Sequence, residues 1–350
     1  MSCIYRTKNL IKLKAIILNK TGEINFLKEN LTIQEVKDLL PGKDEVLIKI
    51  HYAALNHRDL WITKGLYSGI KFPIILGSDC AGVIDKIGDE VAGFKKGDEV
   101  IINPGSNWGD NENFQSSKFN ILGLPENGTL SQYITVPASK VYPKPEHLSL
   151  SESAAIPLAG LTAYRAVMVK ANIKSGENVL ITGIGGGVAT FAFLFSKAMG
   201  ANIFVTSGSN EKIKTAKQFG ASEGFNYQNE MWDEVLINIL NNKIDAAIDG
   251  TGGDVISKIM NVVKPGGRIV NYGATKGNAN NFDMRKLFWK QIVLYGTTMG
   301  SDKDFSEMLN FVSEHNIKPV IDKIFGFKDY INAFLRMNNS EQFGKIVIKI

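Results

Sequence analysis

The chain has 350 residues, room for about two domains of roughly 150 residues each. Hydrophobic residues make up 44% and charged residues 21%, a globular composition that excludes a disordered chain, a collagen-like repeat and a small disulfide scaffold. The net charge of +5 is spread along the chain and only six of the 40 basic residues are Arg, which argues against nucleic-acid binding, where the guanidinium fork is favoured. The two cysteines, Cys3 and Cys80, and the four histidines show no C-x-x-C or H-E-x-x-H spacing. A reducing, cytoplasmic setting without a readable zinc site or disulfide framework is expected. The first 14 residues are basic and carry no acid. They fit a transit peptide or, more simply, a short extension before the first strand.

The first 150 residues are predicted to be β-rich, with β-branched runs at 15–18, 45–54, 81–87, 99–103 and 132–136 separated by turn signals such as Pro41-Gly42. Residues 104–127 are polar and irregular and are expected to form a long surface loop. After Pro157 the pattern changes. Strands at 178–182, 202–206, 246–249, 268–273 and 292–297 alternate with helices at 188–199, 211–219, 232–240, 255–262 and 283–289. Such alternation predicts a doubly wound parallel sheet. Residues 178–196 carry no charge, but glycines interrupt them, so a buried strand, turn and helix is expected rather than a membrane span. The tail reads as helix 304–315, strand 320–325, helix 328–337 and strand 345–350, and can rejoin the first domain. The predicted division is 1–157 with 300–350 against 158–299.

The strand Val179-Leu-Ile-Thr182 runs into Gly183-Ile-Gly-Gly-Gly-Val188 and then an apolar helix. Strand, glycine turn and helix is the context a dinucleotide site requires, because backbone N–H groups and the helix N-terminus receive a pyrophosphate. The strict G-x-G-x-x-G register is missed, since counting from Gly183 ends on Val188. Gly185, Gly186, Gly187 and Val188 are the candidate cradle. An NAD site would place an acid about 20 residues on. Ser207 stands there instead, with Ser209 and Lys212 placed to receive a 2′-phosphate. Glu211 opposes this, although at a helix start it complements the dipole. NADPH is the expected cofactor.

Several ordered blocks extend the pattern: Ala54-Leu-Asn-His-Arg-Asp59, Gly77-Ser-Asp-Cys-Ala-Gly82, Gly97-Asp-Glu-Val100, Gly128-Thr-Leu-Ser-Gln-Tyr133, Ala154 to Tyr164, Lys264-Pro-Gly-Gly-Arg268 and Gly344-Lys-Ile-Val347. With these blocks the chain resembles the medium-chain dehydrogenase/reductases, in their zinc-independent, quinone-oxidoreductase-like and alcohol-dehydrogenase-like branch. The resemblance implies an α/β protein with a GroES-like β-rich barrel domain, a Rossmann domain and an active site between them. Positions that hold catalytic zinc in relatives are Asn56, Ser78 and Leu158 here, and the lobe of the structural zinc, 104–127, has no Cys. No zinc is therefore expected. Asn56 is the candidate for donating an amide N–H near the nicotinamide, and Thr162, in a turn beside the cleft, for contacting the nicotinamide or relaying a proton. His57 is a further candidate proton donor. Arg58 and Asp59 are expected to pair, Asp79 to be scaffold and Cys80 to be a small buried residue.

Tyr227 is implied near adenine or ribose, Gly273 at a close backbone approach, and Thr298, Met299 and Gly300 at the carboxamide. Lys345 is implied at the 2′-phosphate or as a solvated surface lysine. The strand 292–297 implies a homodimer. The expected activity is NADPH-dependent, metal-free reduction of quinones, enones or related activated carbonyls, with a small-molecule partner and neither nucleic acid nor membrane. A zinc-free alcohol/aldehyde dehydrogenase-like enzyme and a non-catalytic NADPH-binding sensor remain as alternatives.

Overall fold

The structure, a computed structural model, describes residues 13–240 and 243–350. Cys3 and nearly all of the basic N-terminal segment lie outside the described residues, and with them the choice between transit peptide and extension. In chain order the first strands are β1 (Leu13–Leu18), β2 (Leu31–Val36), β3 (Glu45–Ala54), β4 (Ile74–Ile75), β5 (Asp79–Ile87), β6 (Glu99–Ile102), β7 (Gly105–Ser106), β8 (Asn120–Ile121), β9 (Tyr133–Pro137) and β10 (Val141–Pro143). A small sheet has the order β2-β1-β4, and a larger one runs β10-β6-β5-β3 with β9 also on β3. Val46, Ile48 and Ile50 of β3 share one face of the strand and enter the barrel core. On the other face Leu47 is also buried and Lys49 is exposed.

Six parallel strands follow: β11 (Asn178–Ile181), β12 (Asn202–Ser207), β13 (Glu223–Asn226), β14 (Ile244–Asp249), β15 (Val263–Asn271) and β16 (Val293–Gly296), in the order β13-β12-β11-β14-β15-β16. This is the Rossmann order, with the direction of winding reversing between β11 and β14. Val179, Leu180 and Ile181 are all buried because the sheet is covered on both faces. The uncharged stretch 178–196 is thus a strand, a turn and part of the helix Gly187–Ala198. No helix among the described residues is long and apolar enough to cross a membrane.

At the crevice the buried Asp249 ties three strand ends together. One carboxylate oxygen accepts from Thr182 Oγ1 (2.5 Å) and the Thr251 N–H (3.0 Å), the other from the Gly252 N–H (3.1 Å) and Asn271 Nδ2 (2.9 Å). The tail does return to the barrel: β17 (Ile321–Gly326) and β18 (Lys345–Lys349) are parallel, and β18 lies antiparallel on β3 with Val347 opposite Ala54.

Two sequence expectations need correction. Thr162 is in the helix Pro157–Tyr164, not a turn. That helix is buried on nearly every side, so it has no polar face from which a 3.6-residue period can be read. Residues 104–127 are irregular, but they are no free surface loop, because Trp108 and Leu124 are buried. Arg165, itself buried, stacks on Trp108 with 4.8 Å from guanidinium to ring centre, and donates to the carbonyls of Glu112 (2.7 Å) and Asn113 (2.9 Å). It also pairs with Asp304 at the start of the helix Asp302–Glu314.

Removing the Arg165 guanidinium strands the Asp304 charge and the Glu112 carbonyl, while the Asn113 carbonyl keeps Lys170 Nζ at 3.1 Å. Arg165→Met is expected to lower unfolding stability in urea by about 3–5 kcal/mol and to speed proteolysis within 104–127. Unchanged proteolysis there would mean that Arg165 does not hold the loop.

Candidate active site

A cleft of about 620 Å³ opens at the reversal point of the parallel sheet and faces the helix His57–Thr63 on the barrel side. β11 enters it through Gly183 and Gly185, whose φ angles of +63° and +113° favour glycine. Gly186 is the N-cap of the helix Gly187–Ala198, without a capping side chain. A Cβ on Gly186 would meet nothing closer than the Gly183 carbonyl at 3.7 Å. The first N–H groups of that helix, which have no intrahelical acceptor, are therefore approachable from the cleft. These residues fit a dinucleotide pyrophosphate.

Gly186, Gly187 and Val188 line the cleft, but Gly185 does not. A Cβ there would lie 2.9 Å from Lys212 Cδ, and its carbonyl accepts from the Gly344 N–H at 2.9 Å. Gly185 joins the turn to the C-terminal segment. Ser207 lines the cleft, whereas Ser209 lies outside the lining and caps the helix Asn210–Gln218, its hydroxyl accepting from the Lys212 N–H. Lys212 Nζ donates to the Ser340 carbonyl at 2.6 Å, and burial lowers its pKa. Tyr227 lines the cleft with Lys276 Nζ 4.3 Å from its ring centre. Gly273, Thr298 and Met299 also line it. Gly300 does not, because it faces Leu161, whose Cδ1 a Cβ would approach to 2.6 Å.

On the barrel side, the Asn56 N–H donates to Asp59 Oδ2 (2.8 Å) and the Gly77 N–H to Asp59 Oδ1 (3.1 Å), which fixes the start of the helix His57–Thr63. Asn56 Nδ2 donates to Asp79 Oδ2 at 2.9 Å. Lys345 Nζ donates to Asn56 Oδ1 at 2.6 Å and to Asp79 Oδ2 at 2.9 Å. The other Asp79 oxygen accepts from the Leu158 N–H at 2.8 Å. All three side chains are buried, with Lys345 only 2% exposed.

Lys345 is thus neither a surface lysine nor directed to the ribose end, where Ser207 stands. It crosses to Asn56 because a buried ammonium needs a carboxylate, and Asp79 supplies it. Arg58 and Asp59 also do not pair as expected. The guanidinium donates to Ser78 Oγ (2.7 Å) and the Leu122 carbonyl (2.6 Å).

Thr162 lines the cleft, but its hydroxyl donates to the Leu158 carbonyl at 2.8 Å, which engages the proton a relay would need. The Cys80 thiol is buried and its pKa is pushed up, as suits a packing residue. His57 lines the cleft with its pKa lowered to about 4, by burial first and then by Lys345, Lys212 and Lys64. It is neutral at pH 7. Trp61, Leu66 and Tyr67 form an apolar mouth to the cleft. The sequence did not single out Lys276 or the true position of Lys345. The last had a signal: Lys345 opens the strand Lys345–Lys349 and is followed by the apolar run Ile-Val-Ile.

Zinc does not fit this donor set. The hydroxyl of Ser78 donates to Leu122, Leu158 is aliphatic, and the Asn56 carbonyl accepts from an ammonium. Among the described residues no group of three or more His, Cys, Asp or Glu is placed to hold a metal.

The lowered pKa of His57 makes stability pH-dependent. As pH falls below 6.5 the unfolded chain takes up the proton first, so stability present above 6.5 is lost progressively down to about 4. The loss is on the order of 3 kcal/mol. His57→Gln should flatten this part of the urea-unfolding profile; an equal slope in both proteins would remove His57 as its source.

Residues 42–146 match the alcohol dehydrogenase GroES-like domain and residues 187–314 the zinc-binding dehydrogenase family. The chain is 40% identical to the zinc-type alcohol dehydrogenase-like protein YogA of Leptosphaeria maculans, over 95% of this chain and 97% of that one. It is 30% identical to 2-methylene-furan-3-one reductase of Solanum lycopersicum, over 96% of this chain and 79% of the other. A solved NAD-dependent alcohol dehydrogenase superposes with a TM-score of 0.90 at 33% identity, covering 96% of this chain and 99% of that one. Barrel, parallel sheet and these likenesses agree: the chain belongs to the medium-chain dehydrogenase/reductase superfamily of NAD(P)-dependent oxidoreductases.

Proposed function

We propose that the protein is an NADPH-dependent, metal-free reductase of quinones, enones or related activated carbonyls. One observation carries the reading. Among the described residues the cleft is lined by the cations Arg58, Lys212, Lys276 and Lys345 and by no carboxylate. Such a surface suits the phosphates of NADPH and an oxygen that gains negative charge. Gly186, Gly187 and Val188 would hold the pyrophosphate, Ser207 and Lys212 the 2′-phosphate, Tyr227 the adenosine, and Gly273, Thr298 and Met299 the nicotinamide end. When bound, the reduced nicotinamide supplies a hydride.

The protein's own part is positioning and electrostatics. Asn56 keeps one amide N–H beyond its bond to Asp79 and presents it to the carbonyl. The apolar rim of Trp61, Leu66 and Tyr67 receives the body of the substrate and excludes water. Neutral His57 is a poor acid at pH 7, so the carbon proton comes from water. A conjugated carbonyl needs no Lewis acid for this addition, whereas an unactivated alcohol does. The alcohol dehydrogenase names among the relatives favour a second reading, a zinc-free alcohol/aldehyde oxidoreductase. A homodimer through β16 is also proposed, because Val293 and Leu294 on this edge strand, with Phe288 and Trp289 beside it, are exposed.

Chelator-treated protein should consume NADPH with a small quinone or enone and not with a simple alkyl aldehyde. The reverse preference would establish the second reading. Asn56→Ala should lower turnover by about 10²-fold with NADPH affinity nearly unchanged. Lys212→Ala should weaken NADPH roughly tenfold more than NADH, and equal losses would remove Lys212 from the phosphate site.

A further inference from the structure

Resting on that function, a second cation in the cleft acquires a role. The stem of Lys345 passes directly beside the first residue of the helix Gly187–Ala198, where a Cβ on Gly187 would lie 2.8 Å from Lys345 Cδ. The missing side chain at Gly187 is therefore a passage for this lysine. The side chain ends at Asn56, in the wall of the cleft, and at Asp79, which is fully buried behind that wall. An ammonium has three N–H donors. Two meet Asn56 Oδ1 and Asp79 Oδ2, and the third has no protein acceptor among the described residues. A buried donor without an acceptor is costly unless a ligand completes it. Asp79 accepts from Asn56, Lys345 and the Leu158 N–H, so the lysine is held against movement.

We propose that Lys345 is a catalytic residue, whose ammonium donates a hydrogen bond to the substrate's carbonyl oxygen and stabilises the charge that forms there. As hydride forms the new C–H bond at the conjugated carbon, the C=C pair shifts toward the carbonyl and its π pair moves onto oxygen. The nicotinamide is oxidised and the substrate reduced by two electrons. Lys345 keeps its proton, and water protonates the α-carbon. The fixed ammonium takes the place of a metal ion as the electrophile, with Asn56 beside it as the second donor.

Two measurements test this separately from turnover. The first is binding of a phenolate, as a stand-in for the anionic oxygen, compared with the neutral methyl ether, both to protein saturated with NADP. Wild-type protein should prefer the phenolate, and Lys345→Met should lose that preference by about tenfold or more while NADPH affinity, read by fluorescence, stays within about threefold. The double variant Lys345→Met with Asp79→Asn, which leaves no buried unpaired charge, should behave the same way if the single variant folds poorly. The second is turnover with an enone, expected to fall about 10²–10³-fold in either variant. Retained phenolate preference, or a loss confined to NADPH affinity, overturns the assignment. Should wild-type protein bind NADPH yet reduce no enone or quinone, the proposed function fails, while the phenolate comparison still decides whether Lys345 is an oxyanion donor.

Discussion

The arrangement of this protein depends on one carboxylate with no access to solvent. Asp79 accepts from Asn56, from Lys345 and from the backbone of Leu158. These donors belong to the start of the helix His57–Thr63, to β18 and to the helix Pro157–Tyr164. An unpaired charge at this depth would cost several kcal/mol, so the barrel, the first helix beyond it and the last strand must all be in place together. The Leu158 N–H is one of the orphan donors at its helix start, and the carboxylate also complements the helix dipole there.

The glycine turn obeys a related constraint. Its departure from the strict fingerprint makes sense once the neighbours are considered, because the turn has to accommodate two of the protein's own lysines as well as a ligand. Gly185 lies under Lys212 and Gly187 beside Lys345, and Gly186 is the glycine left open. Across the crevice, Asp249 holds the ends of β11, β14 and β15 through Thr182, Thr251, Gly252 and Asn271. The floor of the cleft is thus stiff where a cofactor would rest.

Much of this was legible in the residues. β3 and the helix Val255–Val262 have the bounds expected from the residues, and the glycine turn with Ser207 and Tyr227 does border one cleft. What stayed hidden shares a physical cause. The helix Pro157–Tyr164 is buried all round and shows no amphipathic period. Lys345 looks like a surface lysine until the carboxylate across the cleft is known, and Gly300 looks like a cofactor contact until Leu161 is seen against it. Short-range pattern reports which face of an element is wet. It does not report which distant segment a polar group meets.

The return of the tail to the barrel has a consequence for synthesis. Asn56 and Lys345 are separated by 289 positions, and β18 closes the end of β3 at Tyr52, Ala53 and Ala54. While the chain is being made, that stretch of strand edge and the Asp79 carboxylate wait for the whole parallel sheet to emerge. The sheet can form from local strand–helix units, whereas the barrel needs a contact of very long range, which folds late. An exposed edge beside a hydrophobic barrel invites wrong pairing in that interval. The nascent chain is therefore most vulnerable at the barrel, although the barrel is made first.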